Sequence, residues 1–193
     1  GRARRLPTVS IRPGKPNAAA SSFMSSIFRE PLQGADANCP VGRDFPVWHS
    51  APRTVVANLI HGAEAPAEAF GFDRAVNLPG RQDSIGAMID AMTHVAGEDP
   101  AKRITWEPDP VVQSIEKGWR SDIRAERALA MGFKADASFE ASVRWILEDD
   151  VVRPDLRARP LRAGTPSRLR LVFPFSVSSD STVWISAHVV LPS

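Results

Sequence analysis

The side chains in this sequence best suited to acid–base or metal chemistry are four histidines, at positions 49, 61, 94 and 188. Metal-binding histidines usually recur at short, regular spacings, and these four are scattered. His94 falls near the end of a predicted amphipathic helix, where we expect it to be exposed. His61 falls in the last turn of another predicted helix, where a protonated imidazole suits the helix dipole. We therefore predict no metal site, and we assign no catalytic residue.

Sequence motifs of the common enzyme classes are also absent. The chain contains no glycine-rich dinucleotide fingerprint, no P-loop, no H-E-x-x-H and no G-x-S-x-G, and its single cysteine, Cys39, excludes C-x-x-C. Acidic runs such as residues 98–99 and 148–150 fall at predicted helix ends and loops, where solvated surface is the usual role. Taken alone, these residues do not identify an enzyme.

The composition narrows the class of protein. A length of 193 residues with 43% apolar residues suffices for one domain with a hydrophobic core. The net charge is +2, and charges of both signs are interspersed from about residue 60 to residue 150, so we expect no nucleic-acid partner; the arginines at both ends are read as solvated tails. One cysteine excludes an intramolecular disulfide and fits a reducing compartment. Without a long apolar run or a recognisable leader, we expect no membrane partner and a cytoplasmic location.

Apolar spacing and chain-breaking residues predict short strands that alternate with helices. Strands are predicted over residues 5–12, 76–78 and 103–107. Helices are predicted over residues 17–29, 54–61, 84–96, 122–131 and 138–148, and the last three have N-caps in Asp83 or Ser84, in Asp122 and in Ser138. Glycines at 62, 97 and 132 are predicted to end the helices before them. This alternation predicts an α/β fold, described as α+β if the chain is a fragment.

The sequence changes character after about residue 150. Residues 153–170 are dense in arginine and proline without periodicity, which is typical of a linker. Residues 171–191 are apolar and serine-rich, a composition suited to a strand or two if a partner strand is available. We therefore predict one domain over residues 1–150 and an atypical tail over residues 151–193.

Several short segments, in order along the chain, resemble one enzyme family. They are residues 5–17 (RLPTVSIRPGKPN), 50–53 (SAPR), 55–62 (VVANLIHG), 77–80 (NLPG), the helix at 84–96, 106–110 (WEPDP), 130–133 (AMGF) and 145–149 (WILED). The first resembles the strand and loop that follow the catalytic Tyr-x-x-x-Lys helix of extended short-chain dehydrogenases/reductases. Over roughly residues 3–150 the sequence is similar to the C-terminal, substrate-binding part of that family, and most narrowly to its D-erythronate dehydrogenase group.

The resemblance implies oxidation or epimerisation of a sugar or sugar acid with bound NAD. In that family a catalytic Tyr acts as acid and base, a Lys lowers its pKa, and a Ser or Thr orients the substrate. All three lie upstream of the matched segments, as does the glycine-rich phosphate loop. This sequence has no tyrosine. We therefore expect the chain to be inactive alone and its binding of NAD to be doubtful.

The resemblance carries over a few site residues. Pro7, Thr8 and Val9 match the strand end that approaches the nicotinamide carboxamide. Four further positions match the surroundings of the substrate pocket: Asn17, Ser21, Trp48 and Arg53. An arginine suits a sugar-acid carboxylate because its guanidinium group can donate a hydrogen bond to each of the two oxygens. Strand packing for Pro7 and Val9, a core or interface role for Trp48 and a surface role for Arg53 remain alternatives.

Three functions remain open at this point. The chain is a fragment of an NAD-dependent oxidoreductase of a small sugar acid, a nucleotide-sugar epimerase or dehydratase of the same superfamily, or a non-catalytic binding module. In the intact fold the strand over residues 5–11 belongs to a parallel sheet that is buried on both faces. Without its neighbours this strand has an open edge, so we expect a marginally stable chain that forms a homodimer or associates through that edge.

Overall fold

Seven short strands alternate with seven helices in the computed structural model, which describes residues 2–14, 19–116 and 118–151. The strands are β1 (Ala3–Arg5), β2 (Thr8–Val9), β3 (Ala37–Cys39), β4 (Pro46–Ser50), β5 (Ala75–Asn77), β6 (Arg81–Ser84) and β7 (Ile104–Trp106). The helices are α1 (Phe23–Leu32), α2 (Pro52–Glu64), α3 (Ile85–Ala96), α4 (Glu98–Lys102), α5 (Pro110–Glu116), α6 (Glu126–Ala130) and α7 (Phe139–Ile146). The predicted α/β class is confirmed. The predicted substrate residue Asn17 and the tail beyond residue 151 lie outside the described residues.

The strands form three small sheets. β1 pairs in parallel with β5, and β3 pairs in parallel with β7. β4 lies at the centre of the third sheet, parallel to β2 and antiparallel to β6. The predicted strand over residues 5–12 is thus divided into β1 and β2, which belong to different sheets. Pro7 lies between them, outside both ladders, as expected for a residue without a backbone N–H.

Helix α3 is the helix that the sequence pattern predicts best. Its N-cap is Ser84, whose hydroxyl accepts a hydrogen bond from the backbone N–H of Ala87 at 3.1 Å. It ends at Gly97, where the φ of +82° favours glycine. Its predicted apolar face is buried in the main core, beside α1 and α7, with residues that include Ile85, Met88, Ile89 and Met92.

The ends of α6 and α7 also follow local signals. The backbone N–H of Phe133 donates to the carbonyl of Ala128 at 3.1 Å, and that of Gly132 donates to Leu129 at 3.0 Å. These two bonds form the predicted Schellman stop, and Phe133 packs in a second, smaller core. Ser138 caps α7 as predicted, by accepting a hydrogen bond from the backbone N–H of Ala141.

Several predicted boundaries are wrong for identifiable reasons. Gly62 does not end α2, which continues to Glu64. It lies buried within the helix, and the guanidinium of Arg4 packs on it and donates to its carbonyl. Asp122 does not cap α6, which begins at Glu126. The carboxylate of Asp122 instead binds the guanidinium of Arg120 at 2.9 and 3.0 Å. Leu129 is exposed on the short helix α6.

Other differences arise where the sequence gives little periodic signal. The first predicted helix, over residues 17–29, begins only at Phe23 and continues through Pro31 to Leu32. Strands β3 and β4 lie between α1 and α2, where the sequence pattern predicts no strand. Among the described residues, none of the helices is long and apolar enough to cross a membrane.

Candidate functional site

Trp48, predicted on the substrate side, and Pro7, predicted on the cofactor side, both lie against Gly80. A Cβ atom added at Gly80 would lie 2.5 Å from Nε1 of Trp48 and 2.9 Å from Cβ of Pro7. It would also lie 2.9 Å from the carbonyl oxygen of His49. Only a glycine leaves room for this close approach. The structure therefore brings a predicted substrate residue and a predicted cofactor residue to one point.

The strand register places the other predicted cofactor residues beside the same sheet. Thr8 pairs with His49, and Val9 pairs with Ser50, so β2 runs alongside the strand that carries Trp48. Pro7 is buried, whereas Thr8 and Val9 are half-buried and keep some accessible surface. The indole Nε1 of Trp48 is buried and has no hydrogen-bond partner among the described residues. A buried N–H without a hydrogen-bond partner is uncommon in folded proteins.

One histidine side chain joins the three strands of this sheet. Nε2 of His49, in β4, lies 2.9 Å from Oδ2 of Asp83 in β6, and Nδ1 lies 3.3 Å from Oγ of Ser10, just beyond β2. The guanidinium of Arg81 binds both carboxylate oxygens of Asp83, at 2.9 and 3.0 Å. Since an ionised carboxylate only accepts, Nε2 of His49 donates to Asp83, and in the neutral ring Nδ1 accepts from the Ser10 hydroxyl.

The charges in this cluster compensate one another. The pKa of Asp83 is held well below its ordinary value, first by the hydrogen bond from His49 and then by Arg81, against an opposing effect of burial. Bonding to Asp83 raises the pKa of Arg81. The order Ser–His–Asp resembles that of a nucleophilic triad, but Ser10 and His49 are both 0% exposed. Without access for a substrate, this cluster holds the sheet together and does not attack a substrate.

A second buried carboxylate fixes the start of α2. Oδ2 of Asp136 accepts hydrogen bonds from the hydroxyl of Ser50 at 2.7 Å and from the backbone N–H of Ala51 at 2.9 Å. Its Oδ1 accepts from the hydroxyl of Thr54 at 2.5 Å. An anion suits the N-terminus of a helix, where backbone N–H groups lack partners within the helix. Asp136 thus ties β4 and α2 to the segment that precedes α7.

Arg53, predicted to bind a substrate carboxylate, binds carboxylates of its own chain. Its guanidinium lies 2.5 and 2.8 Å from Asp149 and 3.1 Å from Glu148, and it stacks over the ring of Trp145. The hydrogen bonds from Arg53, to Asp149 above all, raise its pKa. The Arg53 fork is therefore oriented for a carboxylate, and a ligand carboxylate would have to displace Asp149. Ser21, the remaining predicted substrate residue, is half-buried in the 3₁₀ turn before α1.

The chain offers only part of what a dinucleotide needs. The strand end at Thr8 and Val9 keeps some accessible surface, as contact with a ligand requires. The sequence has no glycine-rich loop to hold the two phosphates. Within the described part of the chain there is also no group of three or more potential metal ligands.

Sequence reasoning misses the polar cluster around His49. Along the sequence His49 is one of four scattered histidines, and Asp83 is a possible helix cap. The available signal is the strand period of two, which puts Val47 and His49 on the inner face of β4 and puts Arg81 and Asp83 on one face of β6. His61, by contrast, lies in the last turn of α2 as predicted, where Nε2 lies 2.8 Å from the carbonyl oxygen of Met131.

No family model matches the chain. D-erythronate dehydrogenase of Cupriavidus necator is 52% identical to it over 149 residues, which make up 77% of this chain and 46% of that protein. D-erythronate dehydrogenase of Haemophilus influenzae is 45% identical over 147 residues, 76% of this chain and 47% of that protein. The chain thus spans about half the length of these curated relatives.

Solved structures match about the same share of this chain as the sequence relatives do. The nucleoside-diphosphate-sugar epimerase from Agrobacterium tumefaciens superposes with a TM-score of 0.74 at 43% identity, over 77% of this chain and 44% of that one. A GalE-like L-threonine dehydrogenase from C. necator superposes with a TM-score of 0.66 at 23% identity, over 76% and 47%, and shows the fold alone. The predicted match to the C-terminal part of an extended short-chain dehydrogenase/reductase is confirmed.

Proposed function

We propose that this chain, as a match to the C-terminal part of an extended short-chain dehydrogenase/reductase, is the substrate-binding part of an NAD-dependent oxidoreductase. The proposed reaction is oxidation of a secondary hydroxyl of a small sugar acid similar to D-erythronate. The observation that supports this proposal is the approach of Trp48 and Pro7 to Gly80, since the resemblance assigns Trp48 to the substrate side and Pro7 to the cofactor side. The two relatives named D-erythronate dehydrogenase supply the substrate class.

The contribution of this chain to the reaction is binding and orientation. When bound, NAD supplies the hydride acceptor. The strand end at Thr8 and Val9 would contact its nicotinamide end, with Trp48 beside it on the neighbouring strand. Buried hydrogen bonds between His49, Ser10 and Asp83 fix the relative positions of these strands. The proton of the substrate hydroxyl has to leave to a base, and with no tyrosine in this chain we assign that role to a part of the enzyme outside it.

Recognition of the acid group is proposed for Arg53. Its guanidinium already forms a bidentate ion pair with the carboxylate of Asp149. Arg53 is 41% exposed and Asp149 is 53% exposed, so the two can separate without exposing a core. A substrate carboxylate would then replace Asp149 on the same fork. Trp48 would provide an apolar wall beside the sugar acid.

A nucleotide-sugar epimerase or dehydratase is the second candidate function. The observation in its favour is the 43% identical structure from A. tumefaciens, which is named a nucleoside-diphosphate-sugar epimerase. A nucleotide sugar is larger than a sugar acid and carries two phosphates. It would need additional cationic or backbone N–H groups near Trp48, and this requirement distinguishes the two candidates.

Isothermal titration calorimetry on the purified chain tests the proposal. D-erythronate, a neutral four-carbon polyol and a nucleoside-diphosphate sugar are titrated separately, each with and without NAD. The proposal expects heat from D-erythronate and not from the polyol, and a loss of that heat in Arg53→Gln and Trp48→Phe variants. Binding of the nucleotide sugar alone would support the second candidate. NAD binding without any sugar acid would show a nucleotide site that the sequence does not reveal.

A further inference from the structure

Ile11 has a backbone conformation that isoleucine rarely adopts. Of the non-glycine residues that the structure describes, Ile11 alone has a positive φ, +53°. This left-handed conformation is unfavourable for a β-branched side chain, and it persists only where the surrounding structure imposes it. Strained residues of this kind cluster at active sites and ligand-binding segments. The contacts around Ile11 must therefore compensate for the strain.

The strained residue lies just past the carboxyl end of β2. That strand ends at Val9, and residues 10–12, which we call the β2 turn, follow it. In open α/β sheets, ligands bind outside the carboxyl ends of the parallel strands, and β2 is parallel to its neighbour β4. The β2 turn therefore lies at the edge of the sheet where ligands usually bind, directly after the predicted cofactor residues Thr8 and Val9.

On one side, the β2 turn is bound to strand β4 and to the main core. The backbone N–H of Ser10 donates to the carbonyl of Ser50 at 3.1 Å, and Oγ of Ser10 lies 3.3 Å from Nδ1 of His49. The side chain of Ile11 is 2% exposed and packs in the main core. These contacts fix the residue before the strain and the strained side chain itself. They do not fix the residue that follows, Arg12.

Helix α1 binds both backbone polar groups of Arg12. The N–H of Arg12 donates to the hydroxyl of Ser25 at 3.1 Å, and its carbonyl accepts from Nη1 of Arg29 at 2.7 Å. Ser25 and Arg29 are four residues apart and share one face of the helix. They are 2% and 5% exposed. The buried charge of Arg29 is compensated by Glu30, whose Oε1 accepts from Nη2 at 2.5 Å.

We propose that Arg29 is a positioning residue, which keeps the β2 turn in its left-handed conformation and thereby fixes the carboxyl end of β2. A hydrogen bond from a charged donor is stronger than a neutral one, so Arg29 makes the stronger of the two α1 contacts to Arg12. The purpose of this positioning, contact of Thr8 and Val9 with NAD, rests on the proposed function. The conformation of the β2 turn does not depend on a ligand.

Residue-level hydrogen exchange on the full chain tests this inference. Arg29→Met/Glu30→Gln removes the hydrogen bond to Arg12 together with both members of the ion pair. Glu30→Gln alone is the matched control, because it removes the partner charge and keeps the bond from Arg29 to Arg12. Arg29→Lys keeps a cationic donor at this position. The reporters are the N–H groups of Ser10 and Arg12, and the N–H of Ile85, bonded at the start of α3, is the reference for the core.

The expected result is that exchange at Ser10 and Arg12 accelerates about tenfold relative to Ile85 in the double variant, because a buried charge-assisted hydrogen bond is lost. The ratio should stay unchanged in Glu30→Gln and should recover in large part in Arg29→Lys. Equal acceleration at Ile85 would overturn the inference by giving Arg29 a general role in the core. Unchanged rates at Ser10 and Arg12 would also overturn it.

Backbone chemical shifts of Ile11 report the sign of φ without any substitution. They should indicate a positive φ in the unmodified chain and in Glu30→Gln, and a mixture with negative φ in the double variant. A negative φ in the unmodified chain would overturn the inference, whether or not the double variant folds.

Addition of NAD separates this inference from the proposed function. NAD should slow exchange at Thr8 and Val9 in the unmodified chain and not in the double variant. Equal protection in both chains would overturn the inference, since the contact would then not need Arg29. No effect of NAD on the unmodified chain would instead contradict the proposed function, while the rates without ligand would still decide the role of Arg29.

Discussion

His49 Nε2 lies 2.9 Å from Asp83 Oδ2, and this hydrogen bond connects the central strand β4 to β6. The imidazole of His49 is fully buried. The other ring nitrogen contacts Ser10, so one side chain holds β2, β4 and β6 together. The imidazole also packs edge-on against Phe139 of α7, with ring centroids 5.4 Å apart. His49 therefore links the sheet beside the candidate site to the main core.

Asp83→Asn is expected to destabilise the chain by about 1–3 kcal/mol at pH 7, the usual cost of leaving buried partners unsatisfied. The pKa of Asp83 is lowered in the folded state, so its ionised form stabilises that state. This contribution is fully present above the unfolded pKa of about 4 and is lost as the pH falls through the lower folded pKa. Urea unfolding at several pH values should therefore show the largest difference from the unmodified chain near neutrality.

Asp122→Asn is the matched control for that prediction. Asp122 also pairs with an arginine, Arg120, and its pKa is also lowered, but both side chains are exposed. Exposed ion pairs contribute little to stability, so this variant should unfold at the urea concentration of the unmodified chain. Equal effects of the two substitutions would show that the position of Asp83 beside His49 has no special role.

Gly80→Ala is expected to displace Trp48 and to destabilise the chain by about 1–3 kcal/mol, as overpacking usually does. The new Cβ would meet the indole nitrogen at 2.5 Å and the backbone oxygen of His49 at 2.9 Å, and the backbone atom cannot move aside. Tryptophan fluorescence and urea unfolding measure both effects. Gly118→Ala is the control, since its nearest neighbour would lie 3.5 Å away. An unchanged emission spectrum in Gly80→Ala would contradict the close packing at this site.

Local signals account for the parts of the fold that the sequence predicts correctly. The serine caps of α3 and α7 and the glycine stops of α3 and α6 act within a few residues of the chain. The failures involve distant partners or competing ones. Gly62 stays inside α2, where Arg4, far away in sequence, packs on it, and the carboxylate of Asp122 binds Arg120 and does not cap α6. Neither partner can be identified from apolar spacing along the chain.

In the candidate site, too, contacts between residues that are distant in sequence are not predicted. The site roles of Trp48 and Pro7 come from family resemblance and stay predictions, while the structure shows that both side chains lie against Gly80. The cluster of Ser10, His49 and Asp83 is not predicted, because its members come from three strands and meet only when β2 and β6 flank β4. A single sequence carries the alternation of each strand but not the order of strands in a sheet.

Asp136→Asn is expected to loosen the start of α2. The carboxylate accepts three hydrogen bonds, and an amide offers one oxygen in place of two. The loss should amount to about 1–3 kcal/mol. Amide hydrogen exchange at Ala51, whose N–H binds Asp136, should accelerate more than exchange at Ala87, whose N–H binds Ser84 at the start of α3. Uniform acceleration at both sites would indicate global destabilisation and contradict a local role.

Association through the β1–β5 sheet is the last prediction. Among the residues that the structure describes, β1 pairs with β5 alone, in a sheet of two strands. Two strands bury little surface, and unpaired backbone groups along an edge are a template for another chain. We expect the purified chain to unfold with low cooperativity and to form dimers or larger species as its concentration rises. Light scattering coupled to size-exclusion chromatography, over a hundredfold range of about 1–100 μM, measures this directly. A monodisperse monomer with a sharp unfolding transition throughout that range would show that the sheet edge is protected.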